Sequence, residues 1–149
     1  MTPTDPFDLE RFLQAQAGGT HERAVAELRS GRKASHWMWF VFPQLRGLGH
    51  SAIAHRYGIS GPDEARAYLE HPLLGARLLE CAEALAALDP RYCAHAIFGT
   101  PDDLKLRSSL TLFAEAARPG SIFERLLGKY YDGRRDELTA TLLQLHGRA

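Results

Sequence analysis

Ser35-His36-Trp37-Met38-Trp39-Phe40-Val41-Phe42-Pro43, residues 35–43, is the stretch on which the fold turns. Aromatic and β-branched residues in an unbroken run favour a strand. A lone strand leaves its backbone N–H and C=O groups unpaired, however, and no other segment of this sequence reads as a strand that could pair with it. The stretch is therefore read as a short, fully buried helix. With apolar residues on every side, it is expected to be the central element around which the other helices pack.

Outward from this stretch, Gly and Pro punctuation divides the chain into about seven short helical patterns. Asp5-Pro6-Phe7-Asp8 opens the first, with Leu9, Phe12 and Leu13 on one face, and Gly18-Gly19 ends it. Thr20 opens an amphipathic segment carrying Ala24, Val25 and Leu28 that closes at Gly31. Ser60-Gly61-Pro62-Asp63 starts a short one. Pro72 starts a long one in which Leu74, Leu78, Cys81, Ala82, Leu85 and Leu88 recur at helical spacing, so Cys81 is predicted to point inward. Arg91 to Phe98 reads as a short helix, and Thr100-Pro101-Asp102-Asp103 supplies a cap, a first-turn proline and two acids for the helix over 101–117. Ser121-Ile122-Phe123-Glu124 has the capping-box pattern, and a last helix uses Leu138, Leu142 and Leu145. There is no repeat and no long linker, so residues 1–149 are read as a single all-α domain.

The chain has 149 residues, 45% of them hydrophobic and 24% charged, the make-up of an ordinary globular domain. Its eighteen Lys plus Arg are balanced by eighteen Asp plus Glu, so no large field draws it to nucleic acid or anionic lipid. No apolar run reaches the ~20 residues of a membrane span, and the amino terminus lacks a signal-peptide pattern. A cytoplasmic location is the expectation, with Cys81 and Cys93 as reduced thiols.

Two polar-rich clusters stand out. Arg32, Lys33, Ser35, His36, Trp37, Trp39 and Gln44 place two cations, an imidazole, two indoles and an amide within one short stretch. The cations can hold phosphate or carboxylate, an indole face can stack a ring, and His36 can move a proton. The plainer account is that the cations answer a helix dipole and the tryptophans fill the core. The second cluster is Asp102, Asp103, Lys105, Arg107, Ser108 and Ser109, where Asp103 and Ser109 flank the apolar stripe of Leu106, Leu110 and Phe113. Groups at such margins can face a groove between helices. Equally, Asp103 and Arg107 have the spacing of a surface pair, and Ser109 can bond back to its own helix.

Three other features carry less. Gly47-Leu48-Gly49-His50-Ser51-Ala52 fits a dinucleotide-binding turn but lacks the parallel sheet such a turn requires, so the glycines are read as a bend. His50 and His55 are five apart rather than four, and the histidines are scattered singly, so no metal site is expected. Cys93 has no base at the right helical spacing to make it a nucleophile.

The segments GRKASHWMWFVFPQLRGLGHSAIAHRYGI, AYLEHPLLGARLLEC and IFGTPDDLKLRSSLTLF resemble a bacterial family, the domain of unknown function numbered eighteen-ten, often labelled calpastatin. The resemblance runs from about Phe7 to Leu145. It implies a compact all-helical domain of about this length and brings no established activity. The calpastatin label does not suit this chain, because the calpain inhibitor of that name is long, disordered and repetitive, whereas this sequence is short, apolar-rich and without repeats.

Taken together, the clusters predict that an anionic, ring-containing, nucleotide-like metabolite binds in one interhelical groove. Arg32, Lys33 and Arg107 would meet the anion, and Trp37 or Trp39 would stack the ring. Gln44 and Ser109 would orient the ligand, and His36 with Asp103 would form the acid/base pair for any chemistry. No cofactor is implied. The competing reading is a non-enzymatic interaction module or homo-oligomer docking through Tyr130 and Tyr131; nucleic-acid binding ranks below both.

Overall fold

The backbone N–H of Val41 donates to Trp37 O at 3.1 Å and that of Phe42 to Met38 O at 3.1 Å, so the aromatic stretch satisfies its polar groups within one helical turn. The computed structural model describes residues 5–147 and is all helical. Its elements are α1 (Glu10–Gln16), α2 (Thr20–Ser30), α3 (Met38–Val41), α4 (Ala52–Arg56), α5 (Pro62–Glu70), α6 (Leu74–Ala87), α7 (Ala94–Phe98), α8 (Asp102–Ala116), α9 (Ile122–Tyr131) and α10 (Glu137–Gly147). There are ten helices among the described residues against about seven expected; α4, a five-residue piece, is one that the Gly and Pro punctuation did not mark.

The aromatic stretch is shorter as a helix, and less uniformly buried, than its composition suggests. Trp37, Met38, Val41 and Phe42 are in the core, Trp39 and Phe40 are half-buried, and His36 is exposed. Pro43 ends the turn: it has no N–H, and its ring disfavours the helical region for Phe42, which sits at φ −121°, ψ 76°. The chain then runs extended long enough for a single parallel bridge, Leu45 to Ile59, with Ile59 N–H donating to Gln44 O at 2.8 Å and Arg46 N–H to Ile59 O at 2.7 Å.

α8 is the element with the most neighbours, packing against α3, α5, α7, α9 and α10. Every residue from Ser108 to Ala114 on it is buried. α6 lies against α2, α5 and α9, and α1 against α2 and α3. Aromatic rings link these layers: Phe12 meets Tyr68 at 5.2 Å between centroids, Tyr68 meets Phe113 at 5.5 Å, and Phe113 meets Phe123 at 5.7 Å. Cys81 points inward as its spacing predicts, and burial together with the Glu80 charge pushes its thiol up to about 12.

Local capping follows the sequence in part. Asp5 accepts from the N–H groups of Leu9 (2.8 Å) and Glu10 (3.0 Å) at the start of α1, and the Ser121 hydroxyl caps α9. Thr100 does not cap α8 as expected. Its hydroxyl bonds to His95 Nδ1 at 3.2 Å, and the helix begins at Asp102 without a side-chain cap. No helix among the described residues is long and apolar enough to cross a membrane.

Candidate functional site

The first polar cluster is organised by a residue outside it. Glu27, on the last turns of α2, accepts from Ala34 N–H at 2.7 Å, Ser35 N–H at 3.0 Å, Ser35 Oγ at 2.5 Å and Trp37 Nε1 at 2.9 Å. Burial pushes its carboxyl up, but the hydrogen bonds from Ser35, Ala34 and Trp37 outweigh that and bring it down to about 2. Glu27 is thus a permanent anion that pins the chain leaving α2. In the sequence it is one of several charged residues around an amphipathic helix, and nothing local marks it out.

The two clusters do meet, at Asp102. Its carboxylate lies 2.9 Å from Lys33 Nζ and 3.5 Å from Lys105 Nζ, joining the segment after α2 to the first turn of α8. Lys33 also donates to Ser35 O at 2.6 Å and sits 5.1 Å from the Trp37 ring centroid, while the Lys105 ammonium sits 4.6 Å from that of Trp39. With its side chain 7% exposed and an acid beside it, Lys33 is spent on the fold. Arg32 is exposed on the same segment.

Several predicted roles do not survive this geometry. No hydrogen bond or ion pair joins His36 to Asp103 among the described residues. His36 is exposed, and Asp103 Oδ2 lies 3.6 Å from His95 Nδ1 instead. Trp37 is 1% exposed and has no open face to stack a ring. Arg107 donates to the carbonyls of Arg134 (3.0 Å) and Arg135 (2.6 Å), so it clamps the loop before α10 rather than meeting an anion. Ser109 is fully buried, and its hydroxyl finds no hydrogen-bond partner, not even a carbonyl of its own helix.

Trp39 and Gln44 are placed differently. Both are half-buried and line a narrow slot with Leu48, Gly49 and Tyr57, a cavity of only about 10 Å³. Gly49 also lies in the wall of a wider open groove of about 710 Å³. Its walls carry Arg46, His50, Ser51, His55, Ser60 and, from the far end of the chain, His146 on α10. No carboxylate lines it. Close packing holds its edges in place: a Cβ at Gly58 would come within 2.8 Å of Arg46 Cβ, and one at Gly61 within 3.1 Å of His146 Nδ1. Reading the histidines as scattered missed this set, because His146 lies 91 residues beyond His55 and no spacing rule connects them. Among the described residues no three His, Cys, Asp or Glu side chains gather as a metal ion would require.

Residues 6–143 match the family model described as "Protein of unknown function (DUF1810)". The chain belongs to that family. A solved member of this fold is the conserved hypothetical protein Rv1873 from Mycobacterium tuberculosis. Its crystal structure superposes with a TM-score of 0.90 at 56% identity, covering 94% of this chain and 99% of that one. No curated protein matches the chain. The neighbour shares the all-helical fold, and neither family nor neighbour carries an activity to transfer.

Proposed function

We propose that this protein binds an anionic, ring-containing metabolite of nucleotide-like character, with the ring against Trp39 at the mouth of the slot and the anion in the adjoining groove. The observation that carries the reading is that the two spaces are neighbours sharing Gly49 in their walls: an aromatic slot with an amide, Trp39 and Gln44, lies beside a groove lined by one arginine and three histidines with no acid among them. In a chain whose bases and acids balance, such a local excess of basic side chains is what an anionic ligand would use. The groove volume falls within the few hundred to ~1,000 Å³ usual for small-molecule sites. The slot itself has room for no more than about one water molecule, so the ring lies across its mouth rather than inside it. His50, His55 and His146 are the groups placed to pass a proton to or from such a ligand, the role the sequence had suggested for His36 with Asp103.

The interaction-module reading is less well supported. The Tyr130 hydroxyl donates to Leu85 O at 2.6 Å and that of Tyr131 to Asp103 O, so both tyrosines that motivated it are engaged within the chain.

Titration of the purified protein with nucleotides, following tryptophan emission, tests the proposal. Trp37 is buried and serves as a constant reference, so Trp39→Phe should abolish the change while leaving the remaining emission intact. A flat response across a broad panel of nucleotides and related metabolites would reject the reading, as would a response that persists in Trp39→Phe.

A further inference from the structure

We infer that the groove carrying Arg46, His50, His55 and His146 is a phosphate subsite that takes the dianionic phosphate of a monoester. This rests on the binding reading above and names the anionic part of its ligand.

What sets this groove apart from other exposed basic side chains is that an arginine and three histidines line one concave wall, while the better-placed cations elsewhere are paired with acids. Lys33 and Lys105 lie against Asp102, Arg11 against Glu64, Arg66 against Asp63, and Arg135 against Glu115 and Glu124. Arg46 Nε donates to His55 O at 3.2 Å, but its two amino groups make no hydrogen bond or ion pair among the described residues. The ring nitrogens of His50, His55 and His146 likewise have no hydrogen-bond partner there.

The α5 acids Asp63 and Glu64 line the neighbouring groove, which shares Ser60 and His146 with this one, and they are occupied. Glu64 accepts from Arg11 through Oε2 (2.7 Å) and from Ser60 N–H through Oε1 (2.8 Å), and Asp63 is paired with Arg66. His146 looks toward these residues on its other side, across a neighbouring groove. Ser51 Oγ accepts from Ala54 N–H at 3.1 Å, which leaves its hydroxyl proton to donate outward.

The donor set selects the ligand class. A guanidinium with two free amino groups matches phosphate oxygens. It supplies one permanent charge, and the unpartnered ring nitrogens of the three imidazoles add hydrogen-bonding groups around it. A phosphomonoester gains its second negative charge near pH 6, so at neutral pH it offers three oxygens carrying close to two charges. A carboxylate offers two oxygens and one charge to the same set.

The test uses the full chain, inorganic phosphate as probe, and NMR of the seven histidine rings, with the groove signals assigned by His→Gln substitution. The expected result is a saturable shift of the His50, His55 and His146 signals while those of His21, His36, His71 and His95 stay in place. Arg46→Gln should weaken binding by about tenfold or more, the loss of a charge-assisted pair, whereas Arg118→Gln, an equal change in net charge at an exposed loop, should not. The inference is overturned by uniform shifts of all seven rings, by no saturable shift, or by insensitivity to Arg46→Gln. Equal binding of sulfate overturns it too, as an adventitious ion only. Phosphate shifts without any nucleotide effect on Trp39 emission would leave the subsite standing and remove the ring-binding reading; Trp39 quenching by an unphosphorylated nucleoside without phosphate shifts would do the reverse.

Discussion

The carboxylate of Glu27 accepts the indole N–H of Trp37 at 2.9 Å, and the same side chain takes three more hydrogen bonds from Ala34 and Ser35. This contact ties α2 to the aromatic turn and sets where the chain enters the core. Glu27→Ala is expected to cost about 2–3 kcal/mol, because it strands donors that now meet a charge, and Glu27→Gln about half as much. The pH dependence follows from the direction of the shift. A carboxyl lowered from 4.5 to about 2 adds stability that is complete above its unfolded value and is lost as pH falls through the folded one. Urea denaturation of wild type and Glu27→Gln should therefore converge as the pH drops from 4.5 toward about 2; a gap that stays constant would contradict this.

Arg11 and Glu64 form the most enclosed ion pair, 2.7 Å apart with side chains 8% and 2% exposed. The guanidinium also donates to the carbonyls of Phe7, Asp8, Arg56 and Gly58, which ties α1 to the segment after α4. Removing one partner leaves a buried charge uncompensated, so Glu64→Leu should cost about 3–5 kcal/mol. Arg11→Met should cost at least as much, since it also strands four carbonyls. Chemical denaturation of both variants checks the order, and near-neutral effects would show that water already reaches the pair.

Ser109 presents the opposite case. Its hydroxyl is buried without a partner, so Ser109→Ala should be neutral or raise stability by up to about 1 kcal/mol. Thermal melting of the variant measures it. A marked loss would mean that the hydroxyl holds an internal water or a ligand.

Gly75 lies in the first turn of α6, against the last turn of α5. A Cβ built there would lie 2.2 Å from Leu69 O, a backbone atom that cannot swing aside. Gly75→Ala should thus destabilise by more than about 2 kcal/mol even though alanine favours helix, and its urea midpoint should fall accordingly. A more stable variant would show that α5 and α6 can slide apart.

Much of the fold could be read along the chain. Apolar periodicity places α2, α6, α8 and α9, proline and glycine place their ends, and the lack of a pairing partner turns Trp37–Phe42 into a helical turn rather than a strand. Thr100 failed as a cap because His95, on a different helix, competes for its hydroxyl. The candidate site was less legible. Trp39 and Gln44 were marked by residue type, and they line the slot. The groove beside them depends on His146, which only the packing of α10 against α8 brings to residues 46–60.

By itself, the sequence determined that this is a helical chain, roughly where its helices run, and which apolar faces they bury, because helix period, caps and unpaired backbone groups act over a few residues. Only the tertiary structure decided which charges are consumed and which stay open. Lys33 is neutralised by Asp102, Arg107 is held by the carbonyls of Arg134 and Arg135, and Arg46 is left facing a groove with three histidines. Such pairings act over about 3 Å between residues tens of positions apart, and no spacing along the chain encodes that distance.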